Sequence, residues 1–264
     1  MSVEETLRRA RTEGRAALVG YLPVGYPDHA GSLEALRAMV EGGVDIVEIG
    51  VPYSDPLMDG PVIQHAVEAA LRGGARPRHA LDAATVVAQA GAAALVMTYW
   101  NPVDRYGVER WAADLAAAGG SGLITPDLIP DEAAEWLAAS DEHDLDRVFL
   151  VAPSSTQERL VATTRACRGF VYAASTMGVT GVRASVGGAA AELVARTRAV
   201  TDVPVCVGLG VSTADQAAEV AGFADGVIVG SAFVRALDSG GVDGVRRLAE
   251  DLAAGVRRGQ ETRV

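Results

Sequence analysis

Eight short runs of β-favouring residues recur along the chain, at 16–22, 44–49, 95–98, 122–125, 147–152, 169–172, 203–208 and 226–230. Between them lie Ala-, Glu- and Arg-rich segments with helical periodicity, among them 33–41, 62–72, 110–118, 131–140, 156–167 and 189–198, and a closing helix at 242–258. Strands alternating with helices build βαβ units and a parallel sheet. Eight such units within 264 residues predict an α/β fold, a closed (β/α)8 TIM barrel formed as a single domain over 1–264. The opening residues, MSVEETLRRARTEGR, read as an extra amphipathic N-terminal helix rather than a secretory signal, because no apolar core follows the charges. A doubly wound open sheet is the weaker alternative, since no dinucleotide fingerprint accompanies the strands.

In a barrel of this kind, chemistry resides at the C-terminal ends of the strands and in the loops that follow. Within 44–49, alternation puts Ile46 and Glu48 on one face and Val47 and Ile49 on the other. The apolar pair suits the helix-packed outside, so Glu48 points into the barrel mouth. Desolvation there raises a carboxyl pKa toward neutrality, where it can both give and take a proton. A glutamate paired with a buried arginine is the structural alternative, with Arg183 as the one candidate near that layer. Eleven residues after Glu48, Asp59 sits in a loop punctuated by Pro52, Pro56, Gly60 and Pro61. Its length is that of a lid or binding loop, although Asp59 taken alone reads as a solvated turn residue.

Three glycine-bearing segments follow the last three strands: GVTG at 178–181, GLG at 208–210, and Gly230 with Ser231 at a helix start. Backbone amides and a helix N-terminus at that place predict a phosphate site. Tyr21, Tyr53, Tyr99, Trp100 and Tyr172 fall at or just beyond strand ends and predict a mouth lined by rings, fit for a flat apolar ligand.

Composition then narrows the chemistry. All 23 basic residues are arginine, so neither a lysine imine nor a lysine that binds pyridoxal phosphate exists in this chain. The four histidines fall in loops or helices, which argues against a metal centre. The two cysteines, Cys167 and Cys206, read as buried residues of a reducing cytoplasm. A net charge of −11 without a basic run argues against nucleic acid and membrane surfaces. Acid–base chemistry by carboxylates on a phosphorylated organic substrate remains.

The segment EIGVPYSDPLMDGPVIQ resembles the second strand and following loop of the tryptophan synthase α subunit. YLPVGYP, MTYWNPVDRYG, PDLIPDEA, GFVYAASTMGVTG, VPVCVGLGVST and ADGVIVGSAFV follow in the family's order. The resemblance implies cleavage of indole-3-glycerol phosphate to indole and glyceraldehyde 3-phosphate, with no cofactor in this chain. It also implies a β-subunit partner carrying pyridoxal phosphate, in an αββα assembly. By position, Glu48 and Asp59 correspond to the catalytic carboxylates. Gly181, Gly210, Gly230 and Ser231 correspond to the phosphate binders, and Tyr172 to a substrate-side tyrosine. Thr180 corresponds to a threonine that meets the loop aspartate on closure. Asp55, Pro56 and Asn101 correspond to positions facing the partner. Two departures stand out. Thr176 and Met177 replace an arginine common before the GVTG motif, and Leu209 replaces an aromatic residue. A stand-alone lyase, another phosphosugar barrel and a silent barrel that only activates its partner are the competing readings.

Overall fold

The computed structural model describes residues 2–174, 187–208 and 210–259. Nine parallel strands lie in one sheet among the described residues. They are β1 Ala17–Pro23, β2 Ile46–Gly50, β3 Ala93–Met97, β4 Gly122–Ile124, β5 Asp146–Val148, β6 Leu150–Val151, β7 Val171–Ala174, β8 Val205–Gly208 and β9 Gly226–Val229. The helices are α1 Val3–Thr12, α2 His29–Glu41, α3 Pro61–Arg72, α4 His79–Ala90, α5 Trp100–Tyr106, α6 Val108–Ala117, α7 Ala134–Glu142, α8 Gln157–Ala166, α9 Gly187–Arg198, α10 Ala214–Ala221 and α11 Ser231–Arg258. A 310 turn over Pro130–Glu132 precedes α7.

The sheet order is β5-β4-β3-β2-β1-β9-β8-β7-β6, so its two edges are consecutive in sequence. The expected fifth strand at 147–152 is therefore two pieces, and this corrects the single run read from the sequence. Asp146–Val148 pairs with β4, and the chain then turns at Phe149 so that Leu150–Val151 pairs with β7. The Phe149 carbonyl accepts the Tyr172 amide at 3.1 Å across this seam. The pleat is unbroken: Val148 faces the barrel interior and Phe149 the helix layer. One strand that changes neighbour midway closes the barrel.

Alternation sorts the apolar residues into two cores. Val47, Ile49, Val96 and Leu123 pack outward against the helices. Val19, Ile46, Leu95, Ile124, Val148 and Ile228 fill the barrel interior. Val3, Leu7 and Ala10 of α1 belong to that inner core, so the extra helix plugs the N-terminal end of the barrel. Its start is fixed twice. Ser2 Oγ accepts the Glu5 amide at 3.1 Å, and buried Asp146 accepts the Val3 amide at 3.0 Å. Those amides have no intrahelical partner, and Glu4 and Glu5 suit the positive end of the helix dipole. With one end sealed, the open mouth lies at the strands' C-terminal ends.

Candidate active site

Glu48 sits where alternation placed it, on the inner face of β2 and 1% exposed. It pairs in register with Tyr21 on one side and Leu95 on the other. Its Oε1 has no hydrogen-bond partner among the described residues. Desolvation alone pushes its pKa up to about 8. The group is therefore a carboxylic acid at neutral pH, and no arginine among the described residues neutralises it. Arg183 lies outside them.

Asp59 lines the same cavity as Glu48, together with Met58 and Ile63 from its own side of the mouth. It is half-buried, not a solvated turn residue. Burial raises its pKa, while a hydrogen bond from the Tyr99 hydroxyl, 3.1 Å to Oδ1, works in the opposite direction. The loop around it leaves β2 at Gly50 and ends where Gly60 caps α3. Pro61 stands at the first helical position, where a missing N–H costs nothing. Gln64 Nε2 donates to the Asp59 carbonyl at 2.8 Å.

Gly208, Gly210, Gly230 and Ser231 line the same cavity. Gly230 caps α11, and Ser231 opens it with first-turn amides that the helix leaves free. Gly210 has φ +64°, a conformation that favours glycine. Gly208 is needed for a different reason: a Cβ there would lie 2.4 Å from the Tyr172 hydroxyl oxygen. Gly50 relates to Tyr21 in the same way, at 2.4 Å. Each tyrosine thus lies across a glycine of the neighbouring strand, and both reach the cavity. Glu48 adds to the burial that holds both phenols well above their usual pKa.

Of the five expected mouth rings, Tyr21, Tyr99 and Tyr172 line the cavity. Tyr53 and Trp100 do not, which corrects the expectation. Tyr53 stacks behind Tyr99 with centroids 5.3 Å apart, and Trp100 opens α5 with its amide on Asp127 at 2.9 Å. Met97, Leu150 and Ile228 supply the apolar lining instead. These three fall inside the predicted runs 95–98, 147–152 and 226–230, where nothing local separates a cavity wall from a core. Thr180 and Gly181 fall outside the described residues, as do Thr176, Met177 and Leu209. Asp55 and Asn101 are exposed and Pro56 is half-buried on the outer rim, beside Leu57, whose side chain is 77% exposed.

Glu48, Asp59, Tyr21, Tyr172, Gly210, Gly230 and Ser231 thus meet in one cavity, which brings two carboxyl groups and a helix N-terminus together. Such a site can hold an anionic group of a molecule and move protons elsewhere on it.

Comparison with known proteins agrees with this geometry. The family model for the tryptophan synthase alpha chain matches residues 7–261. The tryptophan synthase alpha chain of Acidothermus cellulolyticus is 64% identical over 260 residues, 97% of each chain. That of Mycobacterium marinum is 66% identical over 248 residues, 94% of this chain and 92% of its own. A solved structure of Mycobacterium tuberculosis tryptophan synthase superposes with a TM-score of 0.93 at 63% identity, covering 97% of this chain and 98% of the other. Barrel, cavity and sequence lead to one conclusion: this chain belongs to the tryptophan synthase alpha chain family.

Proposed function

We propose that the chain cleaves indole-3-glycerol phosphate to indole and glyceraldehyde 3-phosphate, as a lyase of tryptophan biosynthesis. The observation that carries this reading is a buried, unpartnered Glu48, its pKa pushed by burial up to about 8, sharing a cavity with Asp59 and with the α11 N-terminus. Gly210, Gly230 and Ser231 take the phosphate, and family position adds Gly181. The indole ring lies among Tyr21, Tyr99, Tyr172, Met97 and Leu150, the mouth's rings and apolar side chains.

The reaction is a retro-aldol cleavage. Glu48 gives its proton to indole C3, which ends the ring's aromaticity and makes it an electron sink. The Asp59 carboxylate faces the positive ring nitrogen that results. Glu48, now ionised, takes the proton of the glycerol hydroxyl next to the ring. The C–C bond breaks as that oxygen becomes an aldehyde, and its electron pair restores the indole. Protons balance, and the step needs no imine, in keeping with a chain that lacks lysine.

Asp55, Pro56 and Asn101, with exposed Leu57, form the surface that meets a tryptophan synthase β subunit, the carrier of pyridoxal phosphate in an αββα assembly. Family position alone assigns Thr180, outside the described residues, the part of Asp59's partner on closure. The chain works in the cytoplasm. No helix among the described residues is long and apolar enough to cross a membrane.

Indole release from indole-3-glycerol phosphate, by the purified chain with and without a β subunit, tests the reading. Slow release alone and strong activation by the partner is the expected result. Fast release indifferent to the partner identifies a stand-alone lyase. No release in either condition overturns the reading.

A further inference from the structure

We propose that Tyr99 is a positioning residue for this reaction: its hydroxyl is the anchor that holds the loop over 51–60 so that the Asp59 carboxylate stays aimed into the cavity. The inference rests on the functional reading above.

A phenol hydroxyl has one proton to donate and two lone pairs to accept with. In Tyr99 all three are committed. The Leu57 amide donates to the hydroxyl oxygen at 3.0 Å and the Met58 amide at 3.1 Å. With both lone pairs engaged, the proton has one acceptor left within reach, Asp59 Oδ1 at 3.1 Å. Asp59 must accept there, and a donated hydrogen bond favours its ionised form. The catalytic reading needs that form opposite a positive ring nitrogen.

Besides Tyr99, the loop is held by the Gln64 Nε2 bond to the Asp59 carbonyl and by the Asn101 Nδ2 bond to the Tyr53 hydroxyl. Its start is pinned by the Val51 amide on the Met97 carbonyl at 3.0 Å, and its end by the α3 cap at Gly60. Between Pro52 and Asp59, no other backbone amide among the described residues is bonded to the protein. Tyr99 is itself braced. It stands between β3 and α5 and is buried, and the loop's own Tyr53 packs its ring on it at 36°, with Tyr53 receiving a hydrogen bond from Asn101 Nδ2 of α5 at 3.2 Å. A rigid barrel element thus fixes the angle at which a mobile-length loop presents its carboxylate.

The test is Tyr99→Phe in the complex with a β subunit, assayed beside the wild type. The ring and its stack on Tyr53 remain and only the hydroxyl is lost. The expected kcat falls about tenfold to a hundredfold with KM changed less than about twofold, the pattern of a contact used in the transition state. The acid limb of the kcat/KM profile also moves to higher pH, because Asp59 loses the donor that favours its ionised form. Tyr21 from β1, Glu48 from β2 and Tyr172 from β7, the other titratable groups that line the cavity among the described residues, are unchanged in the variant. Both readouts come from folded enzyme, so a lowered melting temperature does not mimic them. Wild-type kinetics in the variant overturn the proposal. So does a fall in kcat with an unmoved acid limb, which marks a loop weakened without effect on Asp59. An inactive wild type is a separate result and removes the functional reading itself.

Discussion

Glu48 combines full burial, an orphan oxygen and a pKa near 8. Its folded pKa stands above its ordinary value of 4.5, so the folded state binds the proton more tightly than the unfolded state does. The stability tied to that proton is complete below the ordinary value and is lost as pH rises through about 8. Glu48→Gln has no such loss. Its melting temperature is expected to gain on the wild type steadily from pH 5 to pH 8, by calorimetry, while turnover falls about a thousandfold. A constant offset in melting temperature across that range would refute a protonated Glu48. In the same cavity, Ser231→Asp sets a negative charge at the α11 N-terminus. The dissociation constant for a phosphorylated ligand is expected to rise at least about tenfold by titration calorimetry. An unchanged constant would place the phosphate elsewhere. The position of Glu48 followed from two-residue alternation alone. The pairing of Tyr99 with Asp59 did not, because it depends on the path of a loop that no local pattern encodes.

Among the elements, α1 is the one whose role was least legible. Its amphipathic spacing predicted a helix, yet only the structure shows Val3, Leu7 and Ala10 inside the barrel. Leu7→Ala is expected to cost about 2–5 kcal/mol in urea denaturation, as for other buried leucines. Indole release at 25 °C should be unaffected, since α1 seals the end opposite the mouth. A surface helix would show less than about 0.5 kcal/mol. Three helices, α4, α5 and α10, are not among the helical segments named from the sequence, the first two for identifiable reasons. α4 runs into β3 through an almost unbroken alanine-rich stretch, and the one signal of the boundary is Gly91, the left-handed cap with φ 92°. α5 is short and contains Pro102, a residue that interrupts most helical patterns. The proline falls in the first turn, where its missing N–H would have had no partner.

At the scale of the whole molecule, the alternation of eight β runs with helices was enough to predict the barrel, because parallel strands joined by helices have few ways to pack. The seam was not legible. Residues 146–151 keep one pleat throughout, and sequence does not say where a strand changes neighbours. Yet the seam has a consequence of its own. β1 and β2 share five paired positions, whereas β6 meets β7 at two, Leu150 with Tyr172 and Val151 with Ala173. The barrel is therefore a hoop with a clasp, and fluctuations that part the clasp open the wall beside the substrate. Amide exchange at Tyr172 is expected to outpace that at Ile49 in the free protein. Because the Tyr172 side chain reaches the cavity, a bound phosphorylated ligand should slow exchange at the clasp more than elsewhere. The substrate would then serve as the fastener of the hoop that holds it.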